Sequence, residues 1–174
     1  HDNPSAFTPR QIMIAHAALS DPSHGRLISA QRAARSGFDL AGAGEGRTRV
    51  WIDDWWLQQE ENSYRARILA QEFSLELKFA ATQLPLLQGE NGFSRKGPAP
   101  ESASYYYSLP HLKVSGLLTR DAKQHQVNGV AWLDHEWSSQ YMESDAVGWD
   151  WIGINLDDGG ALMAFRMRDK QGGH

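Results

Sequence analysis

Alternation of apolar and polar side chains is the feature of this sequence that most limits its fold. The segment EFSLELKFA shows it most clearly, with apolar residues at Phe73, Leu75, Leu77 and Phe79. Successive side chains of a β-strand point to opposite faces, so the pattern predicts a strand with one buried and one solvated face. Similar segments lie at 11–19, 26–35, 49–58, 63–70, 111–120, 126–133, 148–156 and 161–168.

Turn-forming residues separate these predicted strands. They are DPSHG at 21–25, TRDAK at 119–123 and DDGG at 157–160, the last expected to form a tight hairpin. No stretch shows the periodicity of a long amphipathic helix. Short strands that recur with turns between them predict an all-β sandwich or antiparallel barrel. The 174 residues fit one domain, or one half of a larger two-domain protein.

Composition excludes several classes of protein. A net charge of -4 without a basic stripe argues against nucleic acid as a partner. No apolar run approaches the roughly 18 residues of a membrane-spanning helix. The chain has no cysteine, which excludes disulfides, thiolate metal sites and cysteine nucleophiles.

One segment departs from the strand pattern. Residues 85–104 read PLLQGENGFSRKGPAPESAS and are rich in Gly, Pro and Ser. A loop of this length inside a compact domain is more often functional than idle. We expect it to cover one mouth of a barrel.

The octapeptide VAWLDHEW at 130–137 places Asp134, His135 and Glu136 between two tryptophans. Burial raises a carboxyl pKa and lowers an imidazole pKa, which brings both towards the range useful for acid–base catalysis at neutral pH. Strand alternation predicts that Asp134 and Glu136 share one face, with His135 and Trp137 on the other. We expect His135 to face inward beside Trp137, reached by a carboxylate from a neighbouring strand or across a bulge. The alternative is a solvated turn or a hydrogen-bonded core histidine.

Further aromatic residues are candidates for the wall of a ligand pocket, because such pockets combine apolar rings with a few polar groups. These candidates are Trp55, Tyr106, Trp137, Trp149 and Trp151, together with Asp150. The tyrosines of SYYYSLP are alternatively strand-edge aromatics. WIDDWW at 51–56 echoes WLDHEW at 132–137, and strand alternation there makes one of its two aspartates a candidate buried carboxyl. No spacing predicts a metal site, and no G-x-S-x-G elbow supports a serine hydrolase.

Several segments together resemble the family of carotenoid 1,2-hydratases and their AttH-like relatives. They are SYYYSLPHLKVSGLL, VNGVAWLDHEWSSQ and GWDWIGINLDDGGALMAFRMR, with HAALSDP, RVWIDDWWL and GENGFSRKG upstream. The resemblance implies a lipocalin-like (calycin-like) antiparallel β-barrel. Family members generally carry two such barrels, and this chain matches the first, so the second is expected to be absent or supplied by another chain.

The resemblance also implies function. The motif positions that it carries over are Asp134, His135, Glu136 and Trp137, then Trp149, Asp150 and Trp151. The later acid pair of carotenoid hydratases is missing here, because 161–168 reads ALMAFRMR. This departure favours the AttH-like branch, whose substrates are unsettled. Secretion or a periplasmic location is implied by the family alone.

The sequence therefore predicts an enzyme of the hydratase (carbon–oxygen lyase) type that acts on an apolar isoprenoid- or polyketide-like molecule without an organic cofactor. Asp134 or Glu136 is the expected proton donor, with His135 orienting it or activating water. One alternative is a non-catalytic module that binds a hydrophobic ligand. Another is a secreted ester hydrolase.

Overall fold

The structure is a computed structural model that describes residues 11–139 and 145–170. These ranges contain β-strands, one short 3-10 helix at Pro22–His24, and no α-helix. The first seven strands are β1 Ile12–Ser20, β2 Leu27–Arg35, β3 Ala41–Ala43, β4 Arg49–Ile52, β5 Trp55–Glu60, β6 Ser63–Leu69 and β7 Phe73–Ala80. The others are β8 Leu86–Leu87, β9 Phe93–Arg95, β10 Ala103–Arg120, β11 Lys123–Trp137, β12 Ala146–Asn155 and β13 Ala161–Asp169.

The strand pairings are antiparallel wherever their register is defined. The predicted all-β antiparallel fold is therefore confirmed. Strand β7 also has the predicted alternation, since Phe73 is buried while Glu76 and Lys78 are exposed. No helix within the described ranges is long and apolar enough to cross a lipid bilayer.

Contacts divide the chain into two units. Unit 1 comprises residues 1–80 and 114–129, and unit 2 comprises residues 81–113 and 130–174. The long strands β10 and β11 contribute residues to both units.

In unit 1, strands β3 to β7 pair in chain order, and the same sheet continues from β7 to β10 and β11. Strands β1 and β2 form a separate two-stranded sheet. The buried apolar side chains of unit 1 include Ile28, Ile52, Trp55, Tyr64 and Phe73.

In unit 2, the short strands β8 and β9 pair with the first part of β10, and β12 forms a hairpin with β13. Its buried apolar residues are Ala103, Tyr106, Leu109 and Leu112. Its buried polar residues are Gln88, Ser94, Lys96, Ser102, Ser104 and Ser108. Buried polar groups need hydrogen-bond or charge partners, so the polar side chains inside unit 2 are expected to pair with neighbouring side chains.

Two predicted turns join long strands. Asp121 and Ala122 connect β10 to β11, and both have positive φ, 51° and 58°, as a two-residue type I′ hairpin requires. Residues 156–160 connect β12 to β13, closed by a hydrogen bond from the Leu156 N–H to the Gly160 carbonyl. The DDGG hairpin is thus confirmed.

Two expectations need correction. In WIDDWW, Asp53 has a φ of 51° and forms, with Asp54, the turn between β4 and β5, so neither aspartate is a strand residue with a buried face. The predicted loop 85–104 contains β8 and β9 and includes the start of β10 at Ala103. Backbone pairing with β10 satisfies its polar groups, which is why the segment is not a free loop.

Gly116 on β10 is expected to be essential for packing in unit 1. Its φ is +152°, and a Cβ there would lie 2.1 Å from the Glu76 carbonyl oxygen and 2.9 Å from the Leu77 Cα. Gly116→Ala should therefore lower the free energy of unfolding by about 2 kcal/mol or more, measured by urea unfolding. Gly129→Ala on β11 is the matched control, because a Cβ there meets no atom within 4 Å. Equal stabilities of the two variants would contradict the close approach.

Candidate functional site

Residues 132–137 of β11 divide between two faces of the strand, as the alternation predicts. Trp132, Asp134 and Glu136 contact one set of side chains, and His135 and Trp137 contact another. All these partners belong to unit 2. We call the side of β11 that carries Asp134 and Glu136 the carboxylate face, and the side that carries His135 and Trp137 the aromatic face.

On the carboxylate face, each acid is held by a buried serine of β10. The Ser104 hydroxyl donates to Glu136 Oε1 at 2.5 Å, and the Ser108 hydroxyl donates to Asp134 Oδ1 at 2.6 Å. The Trp132 indole N–H donates to the same oxygen of Asp134 at 2.7 Å. Both carboxylates therefore act as acceptors in fixed positions along the β10–β11 pair.

Glu136 also pairs with a buried cation. The side chain of Lys96 is completely buried, and its Nζ lies 2.7 Å from Glu136 Oε1. The same Nζ lies 3.9 Å from the ring centroid of Phe165 and 4.9 Å from that of Tyr106. Aromatic faces attract a cation, so the ammonium is enclosed by one carboxylate and two rings.

Tyr106 extends this network towards β12. Its hydroxyl accepts a hydrogen bond from the Trp151 indole N–H at 3.1 Å, and the Trp132 and Trp151 rings meet edge to face with centroids 6.1 Å apart. Burial, followed by the charge of Asp134, raises the pKa of Tyr106 to about 12. This phenol therefore stays protonated at neutral pH.

On the aromatic face, Tyr107 and His135 form a coupled pair. The Tyr107 hydroxyl lies 2.9 Å from His135 Nδ1, within hydrogen-bond distance. The Trp137 ring packs edge to face against His135, with centroids 5.2 Å apart. Burial lowers the pKa of His135 from its ordinary value of 6.5, so the imidazole is neutral at pH 7.

Two exposed rings continue this face. Tyr105 stacks on Trp137 with centroids 5.6 Å apart and an interplanar angle of 23°. Tyr105 is 56% exposed and Trp137 is 50% exposed. The aromatic face therefore presents a stacked π surface beside a titratable histidine.

The expected partner of His135 needs correction. The imidazole is half-buried and packs beside Trp137 as expected, and the buried serines and Lys96 lie on the opposite face, where Asp134 itself is exposed. The partner of its Nδ1 is a phenol rather than a carboxylate. The physical reason is that β11 stays regular here, so alternation keeps the acids away from the imidazole.

The remaining predicted site residues do not lie together in one cluster. Trp151 joins the carboxylate face through Tyr106, although 43% of it is exposed, and Trp149 is 48% exposed. Asp150 is an exposed surface residue, and hydrogen bonding from the Arg166 guanidinium lowers its pKa. Trp55 belongs to unit 1 and so is not part of this cluster. In the described part of the chain, no three acidic or histidine side chains are placed to hold a metal ion.

Sequence analysis missed four residues of these two faces, namely Lys96, Ser104, Ser108 and Tyr107 as the partner of His135. Lys96 lies in the segment predicted to be a loop, where a lysine gives no sign of burial. Ser104 and Ser108 are four positions apart in SYYYSLP and Tyr107 is offset from them by an odd number, so strand alternation could have shown that the serines share a face and that Tyr107 lies on the other.

The profile of the AttH-like family matches residues 1–174, so the chain belongs to the AttH-like family. An AttH protein from Nitrosomonas europaea has a solved structure that is 54% identical, with a TM-score of 0.91, covering 97% of this chain and 53% of that chain. No curated protein matched the chain.

A second solved structure is kievitone hydratase from Nectria haematococca. It is 13% identical, with a TM-score of 0.67, covering 95% of this chain and 55% of that chain. Identity at this level shows a shared fold alone. The chain spans about half the length of both solved relatives.

The match of the AttH-like profile to residues 1–174 confirms the resemblance to this family that the sequence motifs predicted.

The ion pair between Lys96 and Glu136 should be important for the stability of the fold. Lys96→Met removes the cation and leaves Glu136 facing two aromatic rings and a serine, which is expected to lower the free energy of unfolding by about 3 kcal/mol in urea unfolding. Replacing both partners, as Lys96→Met with Glu136→Gln, should recover part of the loss. Lys113→Met, on the exposed side of β10, is the control and should change stability little. A loss in the control equal to that of Lys96→Met would contradict the role of the pair.

The lowered pKa of His135 predicts that the stability of the fold depends on pH. The pKa of His135 is lowered by burial in the folded protein and is near 6.5 in the unfolded chain, so the unfolded chain binds the proton first as the pH falls. The free energy of unfolding should therefore decrease from about pH 6.5 down through the folded pKa. Urea unfolding across this pH range measures the free energy of unfolding, and an NMR titration of the imidazole measures its pKa in the folded protein. His135→Gln should remove this part of the dependence, and an unchanged profile in that variant would disprove it.

Proposed function

We propose that the aromatic face binds an apolar, unsaturated small molecule and that His135 is the acid–base group for adding or removing water. The observation that carries the proposal is the 2.9 Å contact between Tyr107 and His135 beside the exposed, stacked rings of Tyr105 and Trp137. It is supported by the fold shared with a protein named kievitone hydratase.

Ligand binding is assigned to the stacked rings. Tyr105 and Trp137 together offer a broad π surface that is half open to solvent. Such a surface holds a planar or polyunsaturated molecule by dispersion and exclusion of water.

Proton transfer is assigned to His135. In hydration, water adds its oxygen to one carbon of a double bond and a proton is delivered to the neighbouring carbon. A neutral imidazole accepts the proton of the attacking water, and returning a proton to the ligand restores the enzyme. Tyr107 fixes the ring through Nδ1 and so decides which nitrogen faces the ligand.

This assignment changes the roles expected for the two carboxylates. Asp134 and Glu136 already accept hydrogen bonds from Ser108, Trp132 and Ser104, and Glu136 is paired with Lys96. We therefore assign them to holding β11 in place rather than to donating the proton. The two serines are less suited to ester hydrolysis, because their hydroxyls donate to carboxylates and are almost fully buried.

A second candidate function is the carriage of a hydrophobic ligand without chemistry. The exposure of Tyr105 and Trp137 favours it, since a binding surface needs only these rings. The two candidates differ in the fate of the ligand, which a carrier releases unchanged.

The test is conversion of a panel of isoprenoid and polyketide-like alkenes in isotopically labelled water. A hydratase incorporates the heavy oxygen, and His135→Ala should reduce the rate by roughly 100-fold while Tyr107→Phe reduces it less. Trp137→Ala should weaken binding, seen as a raised KM. His125→Ala, also on β11 but in unit 1, is the control and should keep full activity.

Two outcomes decide against the hydratase. Full turnover in a folded His135→Ala protein would remove the histidine from the chemistry. Stoichiometric quenching of tryptophan fluorescence by an alkene that is recovered without heavy oxygen would identify a carrier instead.

A further inference from the structure

Unit 1 contains an apolar cleft that the proposed function does not use. Its volume is about 370 Å³, within the range of small-molecule sites. Strands β1, β4, β5 and β6 supply its walls. The lining residues are Met13, Ile14, Ala15, Val50, Trp51, Ile52, Trp55, Trp56, Leu57, Ala66 and Ile68. None of these side chains carries a charge.

The polar atoms of two wall residues are already engaged. The Trp55 indole N–H donates to the Leu69 carbonyl at 2.6 Å, and the Trp51 indole N–H donates to the Asp39 carbonyl at 3.2 Å. These two rings therefore face the cleft without offering a hydrogen bond. A ligand with a buried polar group would lose its hydrogen bonds to water and gain none from them.

The wall around Trp55 is also fixed in place. The Arg32 guanidinium lies 4.6 Å from the centroid of the Trp55 ring. Arg32 donates to the Ile52 carbonyl at 3.2 Å and to the Leu69 carbonyl at 3.1 Å, and it pairs with Asp54. Its charge is satisfied by these acceptors, so it stiffens the wall rather than attracting an anion. A preformed apolar wall binds without the entropic cost of ordering it.

Other clefts of unit 1 have a different character. One is lined by Asp39, Arg49 and Asp53, and another by Glu60, Arg65, Arg67, Glu76 and Lys78. A third includes Glu72, Arg120 and Asp121. The Trp55 cleft is set apart from these three by its uncharged walls.

From this chemistry we infer that the cleft lined by Trp55 is a binding site for a neutral, apolar small molecule. Fatty acids and other anions are disfavoured because no lining side chain is a cation. A volume near the lower end of the usual range indicates a compact hydrocarbon skeleton rather than a long acyl chain. The site lies wholly in unit 1 and does not depend on the chemistry proposed for His135.

The test uses N-phenylnaphthylamine, a neutral probe whose fluorescence rises in apolar surroundings. Ala15→Phe places a ring in the cleft and should weaken the affinity of this site at least tenfold, with Ala15→Leu giving a smaller loss. Ala18→Phe is the matched control, because it makes the same change at an exposed position of the same strand and should bind as the wild type does. Trp137→Ala removes any binding of the probe to the aromatic face, so each titration is repeated in that background.

NMR of labelled isoleucine methyl groups locates the probe directly. Saturating probe should shift the methyl signals of Ile14, Ile52 and Ile68, and this measurement needs no substituted protein. Unmoved methyl signals, or unchanged affinity in a folded Ala15→Phe protein, would overturn the inference. Self-association that Ala15→Phe abolishes, without any probe binding, would also overturn it and assign the cleft to a second copy of the chain.

Discussion

The hydrogen bonds from two buried serines of β10 to two carboxylates of β11 are the interaction on which the candidate site depends. Ser104 and Ser108 hold Glu136 and Asp134, and Lys96 supplies the balancing charge. A one-residue slip between these strands would exchange the two faces of β11. It would also leave the completely buried ammonium of Lys96 without its carboxylate partner, which is strongly unfavourable. The polar contacts of unit 2 therefore specify one register, and that register points His135 and Trp137 to the opposite side.

Much of the fold could be predicted because strand alternation is a local property. The pattern of β7 follows directly from its sequence, and Asp121 and Gly159 are residue types that tolerate the positive φ of their turns. Ala122 has a positive φ of 58°, which alanine rarely adopts. The WIDDWW segment shows the limit of this argument. Its letters resemble those of WLDHEW, yet Asp53 and Asp54 turn the chain whereas Asp134 and Glu136 lie within a strand. Alternation alone does not mark where a short strand ends.

The site could be predicted only in part, because its partners come from distant segments. The sequence showed that Asp134 and His135 cannot share a face, but it could not show which side chains each face meets. The partners of the carboxylate face are Ser104, Ser108 and Lys96, which lie 26 to 40 positions earlier in the chain than the acids that they contact. Nothing in a Gly- and Pro-rich segment distinguishes a buried lysine from a solvated one. Residues that act through long-range contacts are therefore the ones missed.

The separation of β11 into two faces has a consequence for how proteins of this family can change. Residues whose contacts set the register occupy one side of the strand, and the residues to which we assign ligand binding occupy the other. On this proposal, substitutions at Tyr105, Tyr107 or Trp137 alter what is bound without disturbing the pairing that keeps the strand in place. Proteins that keep the contacts of the serines, acids and lysine can therefore differ in the side chains on the opposite side and still keep the same strand pairing.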